Sequence, residues 1–202
     1  MFAEQSTAQF RLLGVLPLTF FLVQAVHYWR IDQLGHLLWM CNIGNLLLAV
    51  GLFLDQPVLT RVAVIWSIPG LFVWSRYVVT EWFHYVRLDW GAVASSTVAH
   101  IGGLAVGLFA LRRVRADRKV WLYSFAWYLA IQFISRAITP AELNVNVSQR
   151  IYEGWQGKFD SYWKFWLVLS ILVAACLWLL GRGLNKLWPS RSATHEQLPE
   201  VG

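Results

Sequence analysis

The stretch that decides the fold class is GAVASSTVAHIGGLAVGLFAL, residues 91–111, which contains no Asp, Glu, Lys or Arg. A helix of about 20 apolar residues is long enough to cross the hydrocarbon core of a bilayer. We therefore predict that this stretch is a transmembrane helix. His100 lies about 14 Å below its first residue, at 1.5 Å of rise per residue, which makes His100 the most deeply placed ionisable side chain of the span.

The composition of the whole chain also indicates a membrane protein with several spans. Hydrophobic residues make up 57% of the 202 residues and charged residues 14%, which excludes a large aqueous domain. Aromatic residues reach 16%, as expected for rings at two membrane interfaces. The formal net charge of +6 fits basic cytoplasmic loops better than a nucleic-acid surface. Cys41 and Cys176 are too few for a disulfide framework or a thiolate metal site.

Uncharged runs predict an all-α fold, a bundle of six transmembrane helices. The predicted spans are residues 12–29, 36–54, 58–75, 91–111, 120–135 and 165–181. The third span requires Arg61 to reach the interface with its long side chain, and Pro69 predicts a kink or break at mid-membrane. Residues 1–186 thus form the transmembrane domain, and residues 187–202 are predicted to be a flexible cytoplasmic tail.

Basic residues predict the orientation of the chain. With six spans, the two termini share one side with the loop that contains residues 112–119, RRVRADRK. Such clusters mark the cytoplasmic side, so we predict an inner-membrane protein with both termini in the cytoplasm. Residues 76–90 and 136–164 then lie on the outer side, where their mixture of aromatic and charged residues predicts interfacial helices or a cap.

Polar residues inside the spans mark the first candidate site, because they are costly to bury in a membrane. Cys41, Asn42 and Asn45 lie near the start of the second span, and His100 enters from the same side to a similar depth. This placement permits a Cys41 nucleophile with His100 as its base, and an oxyanion donor in Asn42 or Asn45. The alternative is that Cys41 packs as a small hydrophobe while the two amides fasten helices.

The fifth span carries a polar stripe with a helical repeat. Ser124, Tyr128, Gln132 and Arg136 follow one another at intervals of four residues, so one face of this helix is directed at other helices or a cavity. Interhelical hydrogen bonds explain the stripe without a function. The functional alternative is that Arg136, at the outer end, binds the phosphate or carboxylate of a lipid.

A second class of site would bind a metal. His27, His36, Glu81 and His84 gather on the outer side under this topology, with Glu81 and His84 at a spacing found in helical ligand pairs. Such a set could hold Fe, Cu or Zn, or two of the histidines could ligate haem. Interface anchoring explains the same histidines without an ion, and we predict that the protein contains no metal or cofactor. A third interpretation is a lipid-binding or assembly protein without catalysis.

One resemblance extends over about residues 37–146. The run HLLWMCN at residues 36–42, WSIPG at 66–70, AHIGG at 99–103 and LNVN at 143–146 are similar to motifs of bacterial integral-membrane proteins related to the androgen-induced-protein and membrane acyl-lipid transferase group. Trp39 and Asn42 stand where that group commonly has a second His and an acidic residue. The resemblance implies about six helices, and hydrolysis or transfer of a lipid acyl ester with Cys41 as nucleophile and His100 as base.

Overall fold

The chain folds into packed helices. The computed structural model describes the backbone of residues 8–84 and 90–189, and the side chains of the same residues except 81–84 and 90. Within these ranges all regular structure is helical and no strand occurs, which confirms the predicted all-α fold class. In chain order the α-helices are α1 Val15–Arg30, α2 Met40–Phe53, α3 Pro57–His84, α4 Trp90–Thr97, α5 Gly103–Ala110, α6 Val120–Ile138 and α7 Tyr162–Leu187.

Short helical turns complete the chain between these helices. The 3₁₀ turns are Leu34–Leu38, Val145–Val147 and Gln156–Lys158, and a π-helical segment, Val98–Gly102, joins α4 to α5. Four segments of the described chain are long and apolar enough to cross a membrane: Ala8–Arg30, Pro57–Thr80, Gly91–Ala110 and Tyr162–Leu187. The fold is therefore that of a membrane protein with several apolar crossings.

Two helices differ from the predicted spans in their length. α2 has 14 residues, because the chain before Met40 forms the separate turn Leu34–Leu38. α3 has 28 residues and continues through Pro69, so the break predicted at this proline does not occur. The irregular segment lies instead at Val98–Gly102, in the stretch that the sequence presents as the most regular span.

Glycines allow the helices at the centre to approach one another closely. A Cβ atom on Gly51 of α2 would lie 2.8 Å from the Thr60 backbone nitrogen of α3. On α5, a Cβ atom on Gly107 would lie 2.6 Å from the Val64 side chain, and one on Gly103 would overlap Asn45. Gly103 and Gly107, four residues apart, thus form a face of small residues against which α2 and α3 pack closely.

The Arg61 side chain joins several segments at one end of the molecule, which we call the Arg61 end. Its side chain is 1% exposed, so it does not extend to the surface as the sequence predicted. Its Nε donates to the Arg115 carbonyl at 2.7 Å, and its Nη2 donates to the carbonyls of Val114 and Trp188 at 3.0 Å. Nη1 donates to Asn185 Oδ1 at 3.0 Å. One guanidinium thus joins α3 to the basic loop and to the end of α7.

The opposite end, which we call the Asn146 end, is covered by the chain between α6 and α7. Residues 139–161 contain only two 3₁₀ turns and no longer helix, so this segment forms a cap and not the interfacial helices also considered. The predicted outer segment 76–90 begins as the last turns of α3, and residues 85–89 lie outside the described ranges. The predicted tail also lies outside them from residue 190 onward.

Candidate active site

The candidate site lies towards the Asn146 end, where α2 begins. The Met40 backbone N–H donates to Asn146 Oδ1 at 3.0 Å, and Asn146 Nδ2 donates to the Leu38 carbonyl at 2.7 Å. Asn146 Nδ2 also lies 3.2 Å from Ser135 Oγ at the end of α6. One side chain therefore fixes the point at which the chain leaves the turn Leu34–Leu38 and enters α2.

Cys41 lies in the first turn of α2, which the sequence did not predict. Trp39, the residue before the helix, has extended backbone angles (φ −54°, ψ 133°), and its carbonyl accepts from the N–H groups of Asn42 and Ile43. The apolar surroundings of a membrane helix favour the neutral thiol, while the positive end of the helix dipole favours a thiolate. Ionisation of Cys41 therefore requires a base.

His100 lies within the π-helical segment and is held by two contacts. Its Nδ1 is 2.8 Å from the Ser96 carbonyl oxygen, and its ring stacks on Trp74 with centroids 5.2 Å apart. A carbonyl can only accept, so Nδ1 carries the proton and the neutral ring keeps the lone pair on Nε2. Trp74 is itself fixed, because its Nε1 donates to Ser96 Oγ at 2.8 Å. His100 is thus oriented as a proton acceptor.

Cys41 and His100 pack against the same face of α3. A Cβ atom on Gly70 would lie 3.0 Å from the Cys41 Cβ, and Trp74, one turn further along α3, stacks on His100. Residues four apart lie above one another on a helix. No hydrogen bond joins the Cys41 sulfur to the His100 ring in the described part of the chain. The nucleophile and base assignment stays a prediction.

Asn45 connects the two segments that carry Cys41 and His100. Its Nδ2 is 3.2 Å from both the Cys41 and the Ala99 carbonyl oxygens, so the two carbonyls lie only a few ångströms apart. Both amide hydrogens are engaged, which leaves no Asn45 donor for an oxyanion. Its Oδ1 is buried without a hydrogen bond and faces Gly103. Asn45 supports the site as a structural bridge.

Asn42 and Tyr28 lie on the other side of Cys41. Asn42 Nδ2 donates to the His36 carbonyl at 2.9 Å. The Asn42 side chain also hydrogen-bonds the Tyr28 hydroxyl of α1, so both of its amide hydrogens are engaged. Sequence reasoning did not select Tyr28, Trp74 or Gly70. The only signal available was their polar or small character on apolar helices.

The polar stripe of α6 faces the protein interior. Ser124, Tyr128 and Gln132 are all buried, and Gln132 Nε2 donates to the Asn146 carbonyl at 2.6 Å. Arg136 donates from Nη1 to the Ser148 carbonyl at 2.8 Å. Its guanidinium also lies 4.9 Å from the ring centroids of both Tyr162 and Trp163. The predicted lipid-headgroup residue thus fastens the cap to the start of α7.

The alternative metal set is only partly described. His27 and His36 flank Tyr28, with ring centroids 5.3 Å from it in each case. His36 Nδ1 accepts from Trp39 Nε1 at 2.8 Å, and burial lowers the pKa of His36, so this ring is neutral. The side chains of Glu81 and His84 lie outside the described ranges. Among the described side chains, no three His, Cys, Asp or Glu residues are grouped as metal ligands.

A further intramembrane contact joins α1 to the same region. Gln24 is 2% exposed, and its Nε2 lies 3.4 Å from Ser95 Oγ, next to the Ser96 that holds His100 and Trp74. Polar side chains of α1, α2, α3 and α4 therefore surround one buried region. Comparisons with protein-family models, with curated proteins and with solved structures found no match to the chain.

Proposed function

We propose that the chain is an integral-membrane lipid acyl-ester hydrolase or acyltransferase, with Cys41 as the nucleophile and His100 as the base. One observation carries the proposal: Cys41 occupies the first turn of α2, and Asn45 ties this turn to the segment in which His100 Nδ1 binds the Ser96 carbonyl, so that Nε2 carries the lone pair. An intramembrane thiol with helix-terminal donors and a neutral imidazole nearby is the arrangement that thiolate catalysis needs.

The proposed reaction proceeds through a thioester. Nε2 of His100 accepts the Cys41 thiol proton as the sulfur attacks the ester carbonyl of a membrane lipid. We assign the Tyr28 hydroxyl as the donor to the oxyanion, and the Asn42 side chain as the group that positions this hydroxyl. Collapse breaks the ester C–O bond, and the departing lipid oxygen takes the proton from His100. Water or an acceptor alcohol then attacks the thioester, gives its proton to His100, and releases the acyl product with a restored Cys41 thiol.

The proposed topology places this chemistry on the outer half of the inner membrane. α2 and α6 join the four long apolar segments as shorter crossings, which gives six spans with both termini in the cytoplasm. The Arg61 end, with the basic loop 112–119, then faces the cytoplasm, since such clusters are retained there. Lipid is the proposed partner, because a site inside apolar helices is reached from the bilayer.

A lipid-binding or assembly role without catalysis is the second candidate. It is favoured by the fact that several polar groups predicted as functional are already engaged by backbone carbonyls. Asn45 bridges two segments, and Arg136 binds the cap. In this role Cys41 would react no faster than an ordinary membrane thiol.

Thioester trapping distinguishes the two candidates. Purified protein in nanodiscs is incubated with a phospholipid that carries a labelled acyl chain, and label that neutral hydroxylamine releases is counted. We expect the native chain to become labelled and the Cys41→Ser variant to remain unlabelled. In His100→Gln the labelling should be at least about a hundredfold slower, because loss of a general base lowers the rate by about this factor. Cys176→Ser is the matched control, because that exposed cysteine of α7 has no described histidine contact. Labelling independent of Cys41 and His100 would refute catalysis by this pair.

A further inference from the structure

A groove separate from the candidate active site opens between the cap and α7. It has a volume of about 240 Å³ and is lined by three rings of the cap, Tyr152, Trp155 and Phe159, and by an apolar face of α7. That face descends from Phe165 through Leu169 to Leu172, about 10 Å along the helix axis. Val147 contributes to the wall. Neither Cys41 nor His100 takes part in it.

One cation lies at the rim of the groove. Arg76 of α3 is the only charged residue among the lining residues, and its side chain is exposed. It lies about 28 Å along α3 from Pro57, close to the thickness of the hydrocarbon core. Arg76 is therefore at headgroup depth when the Arg61 end lies at the opposite surface.

The aromatic wall is held in place before any ligand binds. Trp155 stacks on Phe159 with centroids 6.2 Å apart, and Phe159 meets Phe165 edge-on at 5.4 Å. Lys158 Nζ lies 5.0 Å from the Trp155 ring centroid, which adds a second positive charge beside the wall. Asp160, two residues after Lys158, forms an ion pair with Lys164 at 2.7 Å.

The backbone of the wall is also strained. Val147 has φ 60°, a conformation that a β-branched side chain rarely adopts. The Asn146 hydrogen bonds hold the preceding residue in the same left-handed region. The cap thus holds Val147 at the groove in a backbone conformation that valine alone would not favour.

We propose that this groove binds one acyl chain of an anionic phospholipid, with the headgroup phosphate on Arg76. The groove combines a cation with aromatic rings of the cap and aliphatic side chains of α7, and these groups suit the phosphate, the glycerol ester region and the hydrocarbon of such a lipid. A volume below the roughly 300 Å³ of the smallest ligand pockets accommodates part of one chain, and the rest of the lipid stays in the bilayer. The proposal does not depend on catalysis by Cys41.

Retention of lipid by the intact protein tests this site. The protein is reconstituted in nanodiscs that contain equal amounts of phosphatidylglycerol and phosphatidylcholine. Native mass spectrometry then releases it into the gas phase, and the lipids that stay bound are identified by their mass. We expect one retained phosphatidylglycerol, preferred about tenfold over phosphatidylcholine, because both lipids offer a phosphate to Arg76 but phosphatidylcholine also brings a choline cation that Arg76 repels. Arg76→Gln removes the preference, Arg76→Lys keeps part of it, and Leu172→Trp prevents retention of either lipid by filling the floor.

Arg30→Gln is the matched control, because Arg30 is an exposed arginine at the Asn146 end that does not line the groove. It should retain lipid as the native protein does. Each variant is also measured for its unfolding temperature, and Leu172→Trp keeps the test decisive if Arg76 variants are unstable. Equal retention of the two lipids by the native chain would overturn the proposal. So would a preference that survives Arg76→Gln, lipid retained by Leu172→Trp, or retention of only free fatty acid or detergent.

Discussion

Replacement of Asn146 by alanine should destabilise the protein more than any other single change in the cap. The Asn146 side chain accepts from Met40 N–H and donates to the Leu38 carbonyl and to Ser135 Oγ. It is 8% exposed, so water has little access to the groups that it satisfies. Alanine would leave the Met40 N–H and the Leu38 carbonyl without partners at the junction of the turn Leu34–Leu38 and α2.

The expected loss of stability follows from these contacts. An unsatisfied buried backbone group costs about 1–3 kcal/mol, and two are left here. Asn146 also has φ 53°, which costs a non-glycine residue without a local hydrogen bond about 1 kcal/mol more. We therefore expect Asn146→Ala to lower the free energy of unfolding by about 3–7 kcal/mol.

Asn146→Gly separates the hydrogen bonds from the backbone conformation. Glycine adopts the left-handed region freely, so it should recover only about 1 kcal/mol of the alanine loss. The measurement is reversible unfolding in mixed micelles with increasing denaturing detergent, followed by tryptophan fluorescence. If glycine restored most of the stability, strain would be the main cause and the hydrogen bonds would contribute little. A loss below about 1 kcal/mol in both variants would refute the reasoning altogether.

Two further predictions concern the Arg61 end and His36. Arg61→Met should lower the free energy of unfolding by about 3–5 kcal/mol, because the carbonyls of Val114, Arg115 and Trp188 lose their donor. Arg61→Lys should recover only a minor part of this loss. Equal stability of the lysine variant and the native chain would contradict the prediction. Because burial lowers the pKa of His36, the unfolded chain binds its proton more readily than the folded one, so stability should fall as the pH drops below the ordinary value of about 6.5. Unfolding midpoints between pH 7.5 and pH 5 should show this fall in the native protein and a smaller one in His36→Gln, and identical profiles would exclude His36 as the cause.

The features that the sequence predicted well depend on short-range patterns. Long uncharged runs predicted the helices, because in a bilayer the α-helix is the regular structure in which a single apolar segment forms all of its backbone hydrogen bonds within itself. The interval of four residues predicted that the Ser124, Tyr128 and Gln132 side chains face inward, where the structure buries them. Each of these inferences needs only the geometry of one helix.

The features that it did not predict depend on contacts between distant residues. The Met40 to Asn146 hydrogen bond joins positions 106 residues apart, and nothing near either residue indicates the other. Arg61 resembles any arginine at the edge of a span, but three distant carbonyls converge on it and make burial favourable. The π-helical segment at Val98–Gly102 likewise has no local breaker as strong as Pro69, which α3 accommodates without interruption.

The start of α2 shows why such a distant contact matters for the chemistry. An uncharged run that begins at His36 places Cys41 well inside a helix, where its backbone N–H would be consumed by the preceding turn. The structure starts the helix at Met40, and the helix-terminal field acts only over the first turn. Cys41 lies within that field because the extended backbone at Trp39 and the Asn146 side chain, which accepts from the Met40 N–H, fix the start of the helix at Met40. In the proposed mechanism the reactivity of the thiol thus depends on a loop that follows α6, although Cys41 and its proposed base lie on α2 and the π-helical segment.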